Sequence, residues 1–298
     1  MSLDKLLVTD IDGTITHQPH QLDDRVIEAL YQYHEAGWDL FFLTGRYFSY
    51  AYPLFQNLSV PFLLGSQNGS SVWSSTEKEF IYFQNMPRDF LRVLERYFEG
   101  LDLIVCIESG ASNRDTYFRQ GLGNKTRELK AILDTVYFPS EESAELLVDV
   151  QGCLSDEFTY ENFAVAKFFG RREEVKKIMD RFVEAPEVSS RVTMNYMRWP
   201  FDFNYAVLLL TLKDISKGFA VDQVVHTFYK GNKPFIMASG DDANDIDLLS
   251  RGDFRIVMQT APEEMHGLAD FLAPPAKDLG ILSAWEAGEL HHKQLLNP

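Results

Sequence analysis

The strongest constraint on the fold is a recurring arrangement in which an apolar run stops at a polar cluster and a helical pattern follows. Leu6-Leu7-Val8 ends in Thr9-Asp10-Ile11-Asp12-Gly13-Thr14. Leu40-Phe41-Phe42-Leu43 ends in Thr44-Gly45-Arg46, and the run at 61–64 ends in Gly65-Ser66-Gln67-Asn68-Gly69. Between the first two, Asp23-Asp24 offer an N-cap, and Val26, Ile27, Leu30 and Tyr33 follow at helical spacing until Gly37. A helix over 47–55 links the second and third runs. Strand and helix in alternation predict a parallel sheet with right-handed crossovers.

The arrangement returns late in the chain. Ser216-Lys217-Gly218 precede a helix carrying Ala220, Val221, Val224, Val225 and Phe228. The run at 235–238 ends in Ser239-Gly240-Asp241-Asp242-Ala243-Asn244-Asp245. A short helix at Leu248-Leu249, a strand at 254–258, a helix at 262–268 and a strand at Phe271-Leu272 follow. The polar stretch 288–298 is expected to fray. From about Asn85 the pattern mixes helices and strands without such tips, and 108–125 reads as a polar stretch. The expected architecture is α/β: a Rossmann-like, doubly wound parallel core (1–84 and 205–298) with an inserted α+β domain (85–204).

Composition narrows the function. A formal net charge of −16 over 298 residues argues against a nucleic-acid binder, which needs a cationic footprint, and against an anionic membrane surface. Cys106 and Cys153 form no Cys-x-x-Cys, so no zinc site or disulfide framework is readable. The first residues lack a basic region followed by an apolar core, and no run approaches a membrane span, so a cytoplasmic location is the expectation.

In an open α/β sheet, ligands bind beyond the carboxyl ends of the strands, where the strand order reverses. Asp10 and Asp12, two apart, could share a face at a strand end, and close carboxylates repel unless a cation lies between them. The Thr44 hydroxyl and nearby backbone N–H groups could hold phosphate oxygens, or Thr44 could be an ordinary helix cap. Lys217 opens a helix, where the dipole disfavours a cation. It is therefore either a solvated lysine or a group that neutralises anionic oxygen. Asp241, Asp242 and Asp245 crowd acids into five residues, some of which could be caps. With Asp10 they make an oxygen-rich site suited to Mg²⁺.

These stretches resemble the motifs of the haloacid dehalogenase-like hydrolases. The similarity is closest to the Cof-type and sucrose-phosphate phosphatase-like group, whose cap is inserted between the second and third motifs. The first motif is Asp10-Ile11-Asp12-Gly13-Thr14, the second Thr44 in Thr44-Gly45-Arg46, the third Lys217, and the fourth 240–245. Asn68-Gly69 resembles the family's loop after the third strand. The resemblance covers both ends of the chain, and the middle matches only in placement and size.

It implies a phosphomonoester hydrolase working through an aspartyl-phosphate. Asp10 would be the nucleophile and Asp12 the acid and base. Thr44, Gly45, Arg46, Asn68, Lys217 and Asn244 would contact phosphate or substrate. Mg²⁺ would be held by Asp10, the Asp12 carbonyl, Asp241 and Asp245. The expected partner is a small phosphorylated metabolite such as a sugar phosphate, with Asn113, Arg114, Asn124, Lys125, Asn195 and Arg198 as polar candidates in the insertion. A phosphomutase with the same intermediate, or a non-catalytic phospho-ligand-binding or signalling protein, are the alternatives.

Overall fold

The computed structural model describes residues 5–230 and 232–296. The chain divides into two compact units. One takes the chain up to Gly45, then Ala51–Tyr82 and Ser216 onward, and the other takes Arg46–Tyr50 and Phe83–Ile215.

The first unit is α/β. Its eight-stranded sheet runs in the order Phe271–Ala273, Phe254–Met258, Phe235–Gly240, Lys5–Asp10, Trp38–Leu43, Leu63–Ser66, Ser71–Ser74 and Glu79–Phe83. The first six are parallel, and Leu63–Ser66 meets Ser71–Ser74 antiparallel. Parallel strands are covered on both faces and read as continuous apolar runs. Leu6, Leu7 and Val8 are accordingly all buried. Leu6, Val8, Phe41 and Leu43 pack with Ala220, Val221 and Val224 of the helix Lys217–Tyr229. The helix Asp24–Glu35 starts where the Asp23 carboxylate accepts the Arg25 amide at 3.0 Å. The strand order reverses at Lys5–Asp10, whose neighbours are Trp38–Leu43 on one side and Phe235–Gly240 on the other.

Two expectations fail. The helix expected over 47–55 is a short turn, Phe48–Ala51, followed by a 3-10 turn, Tyr52–Leu54. Pro53 cannot continue the backbone ladder. The stretch expected to fray from 288 lies instead, as far as residue 296, in a 17-residue helix, Gly280–Leu296, and its last two residues fall outside the described ones. Trp285 is fully buried, the Trp38 indole N–H donates to Glu289 at 2.7 Å, and the His292 ring lies 4.8 Å from Phe235. The polar residues there satisfy the strands beneath them.

The second unit is α+β. Its six-stranded sheet runs Val192–Arg198, Tyr205–Leu212, Val165–Arg171, Ile104–Glu108, Tyr117–Gly121 and Leu147–Asp149. All neighbours are antiparallel except the last pair. One face packs Val105, Ile107, Phe118, Phe168 and Leu208 against helices that include Arg172–Glu184. The other packs Ile104, Cys106, Phe169 and Val207 against the helix Arg127–Tyr137 and an aromatic cluster.

The sequence-based boundary at 204/205 therefore moves to Ile215. Tyr205–Leu212 is apolar enough to pass for a core strand, but it pairs with Val192–Arg198 and Val165–Arg171. The strand Tyr117–Gly121 lies inside the stretch read as polar, where Tyr117, Phe118 and Arg119 are buried. Arg46–Tyr50 also packs here. Tyr47 Oη donates to the Tyr137 carbonyl at 3.1 Å, and Ser49 donates its amide and hydroxyl to Asp115 Oδ2 at 2.7 and 2.6 Å.

Candidate active site

Parallel register brings the polar tips of the first unit level. Asp10 lies opposite Leu43, and Thr9 opposite Ser239. Thr44 and Asp241 are thus each one residue beyond the row of Asp10, on either side. Beneath them the Ser239 hydroxyl donates to Thr9 Oγ1 at 2.7 Å and ties the central strands together.

Asp10 is buried. Its Oδ2 accepts from the Thr14 hydroxyl at 3.0 Å, and its Oδ1 accepts from Lys217 Nζ. The turn between Asp10 and Thr14 needs glycine at position 13. Gly13 has φ +83°, and a Cβ there would come within 2.7 Å of the Asp241 Cγ. Asp12 lies half-buried on this turn and bridges to Thr16.

Lys217 is the first residue of its helix, capped by the Ser216 hydroxyl, which accepts the Phe219 amide at 3.0 Å. The solvated reading of Lys217 does not hold, since its side chain is fully buried. The helix start disfavours the charge, and two carboxylates offset this. Nζ donates to Asp10 and, at 2.6 Å, to Asp245 Oδ1. Asp245 Oδ2 accepts the amides of Asp241 and Asp242 at 3.0 and 3.2 Å, which closes the loop on itself. Asp242 is the cap of that loop and accepts the Ala243 amide at 2.8 Å.

Carboxylate oxygens of Asp10, Asp241 and Asp245 lie within 4.8 Å of one another. Burial pushes the Asp10 carboxyl up, Lys217 opposing and Asp245 and Asp12 adding to it. Burial pushes Asp241 well above the carboxylate range, with Asp10 and Asp245 adding to it. Burial also works against the Lys217 charge, but Asp10 and Asp245 more than offset it and leave its pKa raised. Three crowded carboxyl groups beside one ammonium, two of them raised by burial and mutual repulsion, make an oxygen-rich site in which a cation would favour full ionisation. Such a donor set fits a small hard cation.

Thr44 is buried and is not a helix cap. Its amide donates to the Gly65 carbonyl at 3.0 Å, and its carbonyl accepts the Asn68 amide at 2.8 Å. Asn244 Nδ2 donates to Asn68 Oδ1 at 3.1 Å. The first unit therefore holds Asp10, Asp12, Thr44, Gly45, Asn68, Lys217, Asp241, Asn244 and Asp245, whereas Arg46 belongs to the second. The Arg46 guanidinium stacks 4.3 Å from the Tyr50 ring centre.

Among the polar candidates of the second unit, Asn124 and Lys125 are exposed and donate their amides to Asp102 at 3.0 and 3.2 Å. Arg114 is exposed, Arg198 stacks on Phe203 at 4.9 Å, and Asn195 Nδ2 is buried without a partner among the described residues. The Asn113 side chain lies outside the described residues. Sequence reading did not single out Thr14 as an orienting group for Asp10, although a hydroxyl four positions on, across a glycine turn, is a usable signal. It also missed the Ser216 hydroxyl's bond to Asp247, which only the fold reveals.

A sequence model of haloacid dehalogenase-like hydrolases matches residues 7–284. The chain belongs to this family. The match spans both units and all the tips described above. The phosphoglycolate phosphatase of Natronomonas pharaonis is 32% identical over 100 residues, which is 33% of this chain and 42% of that one. The chain therefore matches less than half the length of this curated relative. Among solved structures, the phosphatase BT1666 from Bacteroides thetaiotaomicron superposes with a TM-score of 0.72 at 21% identity, covering 97% of this chain and 96% of that one. The subclass IIB sugar phosphatase BT4131 gives 0.70 at 21%, covering 95% and 98%. These likenesses establish a haloacid dehalogenase-like fold with its inserted domain.

Proposed function

We propose that this chain is a Mg²⁺-dependent phosphomonoester hydrolase acting on a small phosphorylated metabolite, a sugar phosphate or a compound of similar size, through an aspartyl-phosphate on Asp10. The observation that carries the reading is the buried lysine bonded to both Asp10 and Asp245, with Asp241 in the same oxygen cluster. A phosphoryl group needs such a place, because its transfer depends mainly on positioning and charge neutralisation. The names of a phosphoglycolate phosphatase relative and a sugar phosphatase neighbour support the substrate class.

Asp10, aimed by Thr14, attacks phosphorus. The Oδ–P bond forms as the ester P–O bond breaks, and Asp12 gives its proton to the leaving oxygen. Asp12 then takes a proton from water, which attacks phosphorus and returns Asp10 with release of orthophosphate. Thr44, Lys217 and Asn244 hold the phosphoryl oxygens. Asp10, the Asp12 carbonyl, Asp241 and Asp245 would hold Mg²⁺, which supplies positive charge to the transferring group.

Rapid-quench labelling tests this. Asp10→Asn should form no phosphoenzyme. Asp12→Asn should slow turnover by about 10²–10⁴-fold, with p-nitrophenyl phosphate leaving a slowly decaying phosphoenzyme. Chelation of Mg²⁺ should stop hydrolysis in the unaltered enzyme. Label on another residue, or full activity in chelator, overturns the assignment.

A further inference from the structure

The loop Gln67–Gly69 carries three consecutive residues of positive φ, at +54°, +57° and +92°. For the two that are not glycine this is a strained choice, and such strain persists only where the surroundings enforce it. Those surroundings are the other motif loops. The Asn68 amide donates to the Thr44 carbonyl at 2.8 Å. Its side-chain Oδ1 accepts from Asn244 at 3.1 Å. The next residue, Gly69, lies so close to Ser216 that a Cβ would come within 2.8 Å of the Ser216 carbonyl carbon. Ser216 is the cap in front of Lys217, and the Gly69 carbonyl is itself held by the Tyr82 hydroxyl at 2.9 Å. Asn68 is fully buried, and its Nδ2 has no partner among the described residues.

We infer that Asn68 is a positioning residue for phosphoryl transfer, setting the spacing between the Thr44 and Asn244 loops. The left-handed backbone is what allows one residue to reach both, with its amide turned to one strand tip and its side chain to the other. Gly69 completes the arrangement by letting the same loop seat against the carbonyl that precedes Lys217. This rests on the phosphatase reading and adds to it a part that acts through its neighbours.

Asn68→Gly removes the side chain while keeping a residue at ease with positive φ, so the Thr44 bond and the fold are retained. The expected result is a kcat on p-nitrophenyl phosphate at least tenfold lower, orthophosphate binding weakened about five- to tenfold by calorimetry, and a Tm within a few degrees of the unaltered enzyme. Asn244→Ala should do the same, and the double variant should fall no more than twofold below the worse single one, because one bond is lost in all three. A purely structural role would move Tm and leave the kcat and orthophosphate losses multiplicative. Multiplicative losses, or an Asn68→Gly enzyme within twofold of the unaltered one on both readouts, overturn this inference alone. An unaltered chain inert toward p-nitrophenyl phosphate overturns the phosphatase reading and this inference with it.

Discussion

Lys217 and Asp115 show two ways in which a single buried charge is held. Lys217 has two carboxylates on one fully buried ammonium. Removing one member of a buried ion cluster typically costs about 3–5 kcal/mol because the others stay buried and uncompensated. Lys217→Met should lose about that much in urea denaturation at pH 8 and less at pH 5, where Asp10, its carboxyl already raised by burial, takes up a proton. An equal loss at both would show that the cluster is not ionised as described. Asp115 in the second unit has its carboxyl raised to about 6 by burial, the two bonds from Ser49 opposing this, with Glu108 raising it and Lys167 lowering it. Between its ordinary 3.8 and that value the folded chain binds more protons than the unfolded one, so this group's contribution to stability falls as pH rises. The stability of the unaltered chain minus that of Asp115→Asn should drop by up to about 3 kcal/mol between pH 4 and 7. A flat difference would remove Asp115 from the ledger. The acids at 241–245 were legible as a group, because a polar cluster after an apolar run is a local pattern. That Asp245 would be the lysine's partner was not, because that role depends on a residue 28 positions away.

At the scale of elements, strands whose two faces are buried announce themselves, and those set into a polar stretch do not. Phe254–Met258 was legible to the residue, since four of its five residues are apolar and the segment is bounded by Gly252-Asp253 and Gln259. Tyr117–Gly121 was not, because its Arg119 looks like a surface residue until Asp134 and Asp149 are seen to bind it at 2.6 and 2.9 Å. The last helix was missed for the same reason. Its polar residues include Glu289, whose carboxylate satisfies the buried Trp38 indole. Glu289→Ala should therefore destabilise by about 1–3 kcal/mol, the cost of an unsatisfied buried donor, and Glu289→Gln should recover most of it. Both are read from urea midpoints, and equal losses would assign the effect to helix propensity instead.

For the whole molecule, net charge and function pull in opposite directions. A chain of net charge −16 would repel the proposed anionic substrate at long range, while Lys217 and a cation at the proposed site would attract it at short range. Salt screens the first far more than the second. At saturating Mg²⁺, kcat/KM for p-nitrophenyl phosphate should rise severalfold as ionic strength goes from about 10 to 150 mM, with kcat unchanged. A fall would mean that a local cationic surface governs approach. The chain order behind the site also has a consequence for synthesis. Lys5–Asp10, at the centre of the first sheet, pairs on one side with Phe235–Gly240, made 230 residues later. At about 5–20 residues per second, ribosomal elongation leaves that apolar edge unpaired for roughly 10–50 s, long enough for Phe83–Ile215 to emerge in full. The nascent chain thus carries an open β edge for most of its translation, and a holdase that covers Leu6–Val8 would raise the yield of folded protein more than one that acts after release.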